Sequence, residues 1–330
     1  LYANLNKLNQ PDVKIITLED PIEYRLKGIN QSQVDPKKDY TFAKGLRSIL
    51  RQDPDILMVG EIRDNETADI AIQASLTGHL VLSTVHTNDA AGVIPRLLDM
   101  GIKPFFMVPA INAVIGQRLV RKICPQCKKP HNLTEEEKEM VQKIIATVSP
   151  KSGLTIPTTL PQLYEAGPGC EYCKGVGYKG RIGIYEIFTM TENIKKLTME
   201  GAGDFQIMKQ AIEEGMVTML QDGIYKCLQG TTDLIEVFNV IGKLDYIEDL
   251  YDIVIAQTIG RGIKITKENL EEAEKIAKDL TKVNAALKDL PAKELASMIV
   301  STALKTNAGD IHIEPTDTGV KVRFRIDGIL

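Results

Sequence analysis

No stretch of this chain is apolar for long enough to cross a bilayer. The most hydrophobic run, Pro104 to Gln117, is uncharged but only fourteen residues long, and Pro109 and Asn112 interrupt it. A spanning helix needs about 20 residues, so this run predicts a buried helix instead. A leader with a charged start and an apolar centre is also missing. There is no basic run: 40 Lys and Arg face 44 Asp and Glu, a net charge of −4, and the pI is near 5.8. That balance disfavours a generic nucleic-acid binder. Low-complexity segments and short repeats are absent too. What remains is ordinary: 43% hydrophobic and 25% charged residues, as in a soluble globular protein with a proper core. A length of 330 residues points to two or three domains. The chain opens at Leu1 and stops at Leu330 just after Asp327-Gly328, so both ends read as cut.

The first part alternates strand and helix. Val13 to Leu18 is a short apolar run ending in acids, and Phe42 to Arg51 is helical and closed by Asp53-Pro54. Asp55 to Gly60 reads as a second strand, Asn65 to Leu76 as a helix, and Leu80 to Val85 as a third strand introduced by Gly78-His79. Near-continuous apolar strands separated by helices imply a parallel sheet covered on both faces, with ligands at the carboxyl ends of its strands. Ala90 to Val120 reads as helical, Thr134 to Thr147 as a polar helical insert, and Ile194 to about Gly230 as helices again. The charged segment Glu268 to Leu287 predicts a linker helix. Ala292 to Thr306 predicts a helix, and Asp310 to Pro315 and Gly319 to Ile326 alternate as strands of a half-buried sheet.

The predicted strand ends carry the chemistry. They read Thr17-Leu18-Glu19-Asp20-Pro21-Ile22-Glu23, then Met58-Val59-Gly60-Glu61-Ile62-Arg63-Asp64, then His79-Leu80 through Val85-His86-Thr87. An apolar strand ending in a carboxylate fixes the acid beside a nucleotide, where it holds Mg²⁺ through water or orients an attacking water. One such strand is weak evidence; three in this order, with Arg47, Arg51 and Arg63 nearby, are much stronger. Blander readings stand beside these. Glu23 serves equally as the cap of a solvated hairpin, and His79 as a group satisfying backbone at a strand start. Arg47 and Arg51, four apart, fit a solvated helix face.

This constellation resembles the type II secretion and type IV pilus ATPases, the protein E family of RecA-like hexameric motors. Glu19, Asp20 and Glu23 match the family's Asp box, Gly60-Glu61 its Walker B motif, and His79 and His86 its His box. Gln117-Arg118-Leu119-Val120-Arg121-Lys122-Ile123-Cys124-Pro125, with Cys127 following, is similar to the entry of its zinc-binding insert. The resemblance covers about residues 1–240 and again 291–330. It implies an α/β fold, a RecA-like P-loop NTPase core. It implies ATP hydrolysis with Mg²⁺, coupled to assembling a pilus or pseudopilus, by a homo-oligomeric ring of six subunits. That ring would work in the cytoplasm, peripheral to the inner face of the membrane, against an inner-membrane platform protein and without nucleic acid. In these roles Glu19 and Glu61 orient water and Mg²⁺, while His79 and His86 relay nucleotide state between subunits or touch the γ-phosphate. Asp20, Glu23, Gly60 and Arg63 line the nucleotide site.

Family members carry Gly-x-x-Gly-x-Gly-Lys-Thr-Thr-Thr directly before Leu-Tyr-Ala, the tripeptide that opens this chain. No Gly-x-x-x-x-Gly-Lys-Ser/Thr occurs among the 330 residues. Without that loop's amides and lysine nothing strongly cradles the β and γ phosphates. The isolated chain is therefore expected to bind ATP weakly and to be inactive. The alternative reading is a degenerate, non-hydrolysing copy of the motor acting as a structural or binding subunit. A DNA translocase of the same superfamily is a third, against which the acidic balance weighs.

Of five cysteines, four form two Cys-x-x-Cys pairs, Cys124/Cys127 and Cys170/Cys173. Two such knuckles complete a tetrahedral Zn²⁺ site with no open position, hence a structural one. The long gap between them closes if the insert is a helical hairpin. Redox pairs or plain buried cysteines are the other readings. Cys173-Lys174-Gly175-Val176-Gly177 also resembles one repeat of the zinc region of J-domain chaperones. Cys227, among apolar neighbours, reads as core.

The expected domains are a core at 1–120 lacking the phosphate loop, a tetracysteine insert at 121–185, and a helical subdomain at 186–242. A linker at 243–290 and the start of an α+β domain at 291–330 follow. That last piece resembles the family's second N-terminal domain, whose arginines reach nucleotide in the ring, so Arg323 and Arg325 are candidate trans-acting fingers; a solvated sheet face is the other reading. In the family the small domain precedes the motor, which predicts a fragment of a longer, tandem polypeptide, with an assembly artefact as the runner-up.

Overall fold

The computed structural model describes residues 1–157, 159–242, 273, 292–306, 308, 310–316 and 319–325. The chain forms two compact units, Leu1–Tyr251 and Asp252–Leu330. The expected linker and its charged helix at 268–287 lie, but for residue 273, outside the described residues.

In the first unit, helix α1 (Tyr2–Leu8) precedes strand β1 (Ile15–Glu19), whose five residues are all buried. Strand β2 (Asn30–Gln33), helix α2 (Phe42–Leu50), strand β3 (Ile56–Ile62), helix α3 (Asn65–Leu76) and strand β4 (Leu80–Val85) follow. The four strands make one parallel sheet in the order β2-β1-β3-β4; the apolar runs of β1, β3 and β4 fit such a sheet, whereas β2 is polar. One layer packs Leu5, Ile15, Ile29, Ile56 and Met58 together with Tyr2 and Leu8 of α1. On α2, a Cβ at Gly45 would come within 2.7 Å of Leu18 Cδ2, so only glycine lets this helix lie so close to β1. Thr41 caps α2 through the amide of Lys44, and Asp64 caps α3 through the amide of Thr67 at 2.8 Å.

Helices α4 (Val93–Asp99) and α5 (Pro104–Ala110) agree with the helical reading of the next stretch, but only as far as residue 110. From Ala113 to Ile123 the chain is an eleven-residue strand, β5, paired antiparallel with β8 (Tyr178–Thr189). The expectation of helix through Val120 is thus corrected. After Asn112 the β-branched Val114 and Ile115 fit a pleated, half-buried surface, and an uncharged run hides which period applies. This ribbon runs across the domain boundaries expected at 120/121 and 185/186.

Between its strands lie β6 (Lys129–His131), α6 (Glu135–Ala146) and β7 (Leu163–Glu165), with β6 and β7 paired antiparallel. The insert is therefore a β-ribbon carrying one helix rather than a helical hairpin. Thr134 and Glu137 form a capping box on α6. Helices α7 (Glu192–Met199), α8 (Asp204–Glu214), α9 (Met219–Leu228) and α10 (Leu234–Ile241) complete the unit. A second core gathers Val120, Ile144, Leu163, Ile184, Leu220, Ile224 and Phe238 beneath the ribbon. Cys227 lies in it, fully buried, and that burial pushes its thiol well above the ordinary range.

The second unit contains helix α11 (Ala292–Lys305) and a hairpin of β9 (Asp310–Thr316) and β10 (Gly319–Arg325). These match the segments expected there to within a residue. No helix among the described residues is long and apolar enough to cross a membrane.

Candidate functional site

Glu19 is the last residue of β1, Gly60-Glu61 lie near the end of β3, and His86 directly follows β4. Parallel strands put these three at one edge of the sheet. There they line a cleft of about 530 Å³ with Leu1, Tyr2, Asp20, Glu23, Arg63 and Thr84. The pairing of β3 with β4 shifts register between Val59 and Ile62, the stretch that holds Gly60 and Glu61. A Cβ at Gly60 would sit 3.3 Å from Glu19 Cα and from Leu18 O, so glycine here lets the two acidic strand ends approach. Thr84 Oγ1 donates to Gly60 O at 2.8 Å and fastens β4 alongside.

The Glu61 side chain is only 12% exposed and accepts from His86 Nε2 at 2.9 Å and from Arg63 Nε. Burial pushes its carboxyl up, but the hydrogen bonds and charges of His86 and Arg63 outweigh that and hold it below the usual carboxylate range. Glu61 is thus ionised at neutral pH. Glu19 is 3% exposed and accepts from Tyr2 Oη, from Thr17 Oγ1 and, at 3.1 Å, from Gln31 Nε2. Burial and the bond to Glu19 raise the Tyr2 hydroxyl's pKa, which keeps it a donor. Tyr2 and Gln31 carry no signal in the sequence: one sits on a short helix, the other on a polar strand that composition does not betray.

Asp20 and Glu23 are exposed on the cleft wall, and the Glu23 amide donates to Tyr2 Oη at 3.3 Å. Arg63 is 68% exposed. Arg47 pairs with Glu66 at 2.8 Å, both exposed, in keeping with a solvated helix face.

The structure does not bring His79 to this cleft. It precedes β4 and so stands at the amino edge of the sheet, where Nδ1 meets Ala74 O at 2.9 Å and Thr77 Oγ1 at 3.3 Å. His79 therefore does not line the cleft that Glu19, Glu61 and His86 share. Arg323 and Arg325 belong to the second unit. Arg323 pairs with Glu314 and Arg325 with Asp310 at 3.1 Å, both across the β9–β10 hairpin.

The four cysteines of the ribbon converge. Ile123 pairs with Tyr178, and the Cys124 amide donates to Gly177 O at 2.9 Å, so the antiparallel strands deliver both knuckles to one place. Cys124 and Cys170 Sγ are 3.7 Å apart, Cys127 and Cys173 3.8 Å, and Cys170 and Cys173 3.8 Å; all four sulfurs lie within 4.8 Å of one another. A metal–sulfur bond of about 2.3 Å gives a tetrahedron with edges of about 3.8 Å, so the four thiols fit a tetrahedral metal ion. The amides of Cys170 and Gly177 donate to Cys173 Sγ at 3.1 and 3.2 Å. Desolvation raises the Cys173 thiol, but those amides outweigh it and bring it to about 6.

Residues 1–239 and 285–330 match the family described as type II/IV secretion system protein. Over 240 residues the chain is 48% identical to the type II secretion system protein E of Dickeya dadantii (strain 3937), covering 73% of this chain and 45% of that protein. It is 45% identical over 237 residues to the type IV pilus assembly ATPase PilB of Myxococcus xanthus (strain DK1622), covering 72% of this chain and 40% of that protein. The crystal structure of the pilus retraction motor PilT with bound ADP superposes with a TM-score of 0.51 at 25% identity, over 75% of this chain and 58% of that one. The chain spans less than half the length of both sequence relatives.

Proposed function

This chain belongs to the type II/IV secretion system protein family, and from that premise we propose that it is part of an ATP-hydrolysing motor powering type IV pilus assembly or type II secretion. The observation that carries the reading is the meeting of Glu19, Glu61 and His86 in one cleft at the carboxyl edge of a parallel sheet. Ligands of open α/β sheets sit at that edge.

Phosphoryl transfer to water asks the protein for positioning and charge stabilisation more than for covalent chemistry. Glu61, ionised and held by His86 and Arg63, orients the attacking water. Glu19, fixed by Tyr2 and Gln31, and the exposed Asp20 and Glu23 are the residues that would hold a Mg²⁺ ion. Such an ion would supply charge neutralisation for the phosphates of ATP. His86 senses the γ-phosphate through its contact with Glu61, while His79, at the other edge, serves a neighbouring subunit. Gly60 leaves room for the strand ends to close on the nucleotide.

The wider assignment rests on family membership. The motor is a homo-oligomeric ring of six, cytoplasmic and peripheral to the inner face of the cytoplasmic membrane, acting on an inner-membrane platform protein and not on nucleic acid. Arg323 and Arg325 would act in trans only by leaving their partners on the hairpin. The proposed domains are 1–120 for the core, 121–185 for the insert, 186–242 for the helical subdomain, 243–290 for the linker and 291–330 for the α+β piece. Zn²⁺, held by Cys124, Cys127, Cys170 and Cys173, is structural, because four thiolates leave no position for substrate.

The test is Glu61→Gln in the natural protein. Mg-ATP hydrolysis should fall at least roughly 100-fold with nucleotide affinity retained. Unchanged turnover refutes the role of Glu61. A second reading, a non-hydrolysing structural copy, is the other outcome of this test. It holds if the natural protein with Glu61 intact fails to hydrolyse ATP.

A further inference from the structure

His86 meets Glu61 with a side chain that is 73% exposed, so little packing holds its imidazole in place. Its position depends on the backbone that follows, residues 87 to 92, and that backbone is gripped from the β5–β8 ribbon. Arg118 of β5 donates from Nη2 to Asn88 O at 3.0 Å. Glu186 of β8, with no exposed surface, accepts from the Ala90 amide at 2.6 Å and from the Met219 amide at 3.2 Å. These bonds span 30 and 96 residues of sequence. Within the loop, Thr87 Oγ1 donates to Asp89 O at 2.7 Å and the Gly92 amide to Asp89 Oδ1 at 2.8 Å.

The ribbon is shaped for this grip. Gly116 is the cross-strand partner of Glu186. A Cβ there would sit 2.8 Å from Glu186 Cγ and 3.3 Å from the Ala90 amide nitrogen. The glycine opens the passage through which the carboxylate reaches the loop. Arg118, two residues along β5, lies on the same face as Gly116. A buried carboxylate is costly unless it accepts well-directed hydrogen bonds, and two backbone amides supply them here.

We propose that Glu186 and Arg118 are positioning residues for His86, holding the loop after β4 so that the exposed imidazole stays on Glu61. The proposal rests on the reading of Glu61 and His86 as a functional pair. Neither residue touches the cleft; both act through the Asn88 carbonyl and the Ala90 amide.

The experiment follows the imidazole ¹⁵N resonances of the four histidines in the whole 330-residue chain at one fixed pH, with His86 assigned by its loss in His86→Gln. Glu61→Gln should move the His86 resonances. Arg118→Ala and Glu186→Ala should move them in the same direction by a comparable amount, leaving His79, His131 and His312 in place. Arg118→Lys and Glu186→Gln, which keep one hydrogen bond each, should recover part of the shift. Gly116→Ala, which blocks the passage, should resemble Glu186→Ala. If Glu61→Gln moves His86 while Arg118→Ala and Glu186→Ala leave it unmoved, the positioning role is overturned and the pair survives. If Glu61→Gln itself leaves His86 unmoved, the pair fails and the positioning role with it. Should Glu186→Ala disturb all four histidines through misfolding, Arg118→Ala and its lysine counterpart carry the decision.

Discussion

The ion pair that ties the ribbon to α10 gives a stability prediction that can be worked in detail. Glu236 sits in the first turn of α10 with its side chain 7% exposed. Oε1 accepts the backbone amide of Arg121 at 2.9 Å, and Oε2 accepts Arg121 Nε at 2.9 Å and Nη2 at 2.6 Å. The Arg121 side chain is 48% exposed, and its guanidinium lies 4.0 Å over the Tyr178 ring. Glu236→Ala strips the amide of its acceptor, which costs about 1–2 kcal/mol. Losing the half-solvated ion pair adds about 1 kcal/mol, discounted for solvent screening. The sum, about 2–3 kcal/mol, lowers the melting temperature by about 4–12 °C in a unit of this size. The pH dependence has a definite sign. Burial pushes the Glu236 carboxyl up, but Arg121 outweighs it and holds it below the usual range. Its stabilisation is therefore fully present above the unfolded pKa of about 4.3 and is lost as pH falls through the lower folded value. Thermal melts of wild type and Glu236→Gln should differ at pH 7 and converge only once the pH has fallen below the lowered folded-state pKa of Glu236. A Glu236→Ala cost under about 0.5 kcal/mol, or a wild-type/Gln gap that ignores pH, refutes the reasoning.

Two further outcomes are expected. The chain should retain one equivalent of Zn²⁺ per molecule, and its cobalt-substituted form should show thiolate charge-transfer absorption that Cys170→Ser weakens; a protein that takes up no metal through all four thiols removes the tetrathiolate reading. The isolated chain should bind Mg-ATP weakly, because the cleft presents Glu19, Asp20, Glu23 and Glu61 against one arginine and one histidine and the 330 residues hold no Gly-x-x-x-x-Gly-Lys-Ser/Thr; a calorimetric titration returning micromolar affinity would overturn that.

The legibility of this fold in its sequence followed burial. Where strands are covered on both faces, as at Ile56–Ile62, their apolar runs and terminal acids mark them out, and helix Asn65–Leu76 announces itself by Asp64 before it and Gly78 after it. The edge strand Asn30–Gln33 is wholly polar and passes for loop, so its Gln31 was invisible as a partner of Glu19. The ribbon strand Ala113–Ile123 starts inside the uncharged run that ends at Gln117, where the pattern suits either period. The Cys-x-x-Cys pairs declared their chemistry but not the strand pairing that unites them. Glu186 carries no signal in the sequence, where the strand that holds it goes unread; its importance lies in two amides that are distant in the chain.

The ribbon's alignment serves two ends of the molecule at once. Its pairing sets Cys124 against Gly177 at one extremity and Gly116 against Glu186 near the other. Because side chains alternate faces, a slip of one residue would turn Glu186 outward and separate the sulfurs in the same stroke. Insertions in the stretch between α6 and β7 should therefore be absorbed, whereas a single added residue within β5 or β8 would disable both the thiol cluster and the loop beside His86.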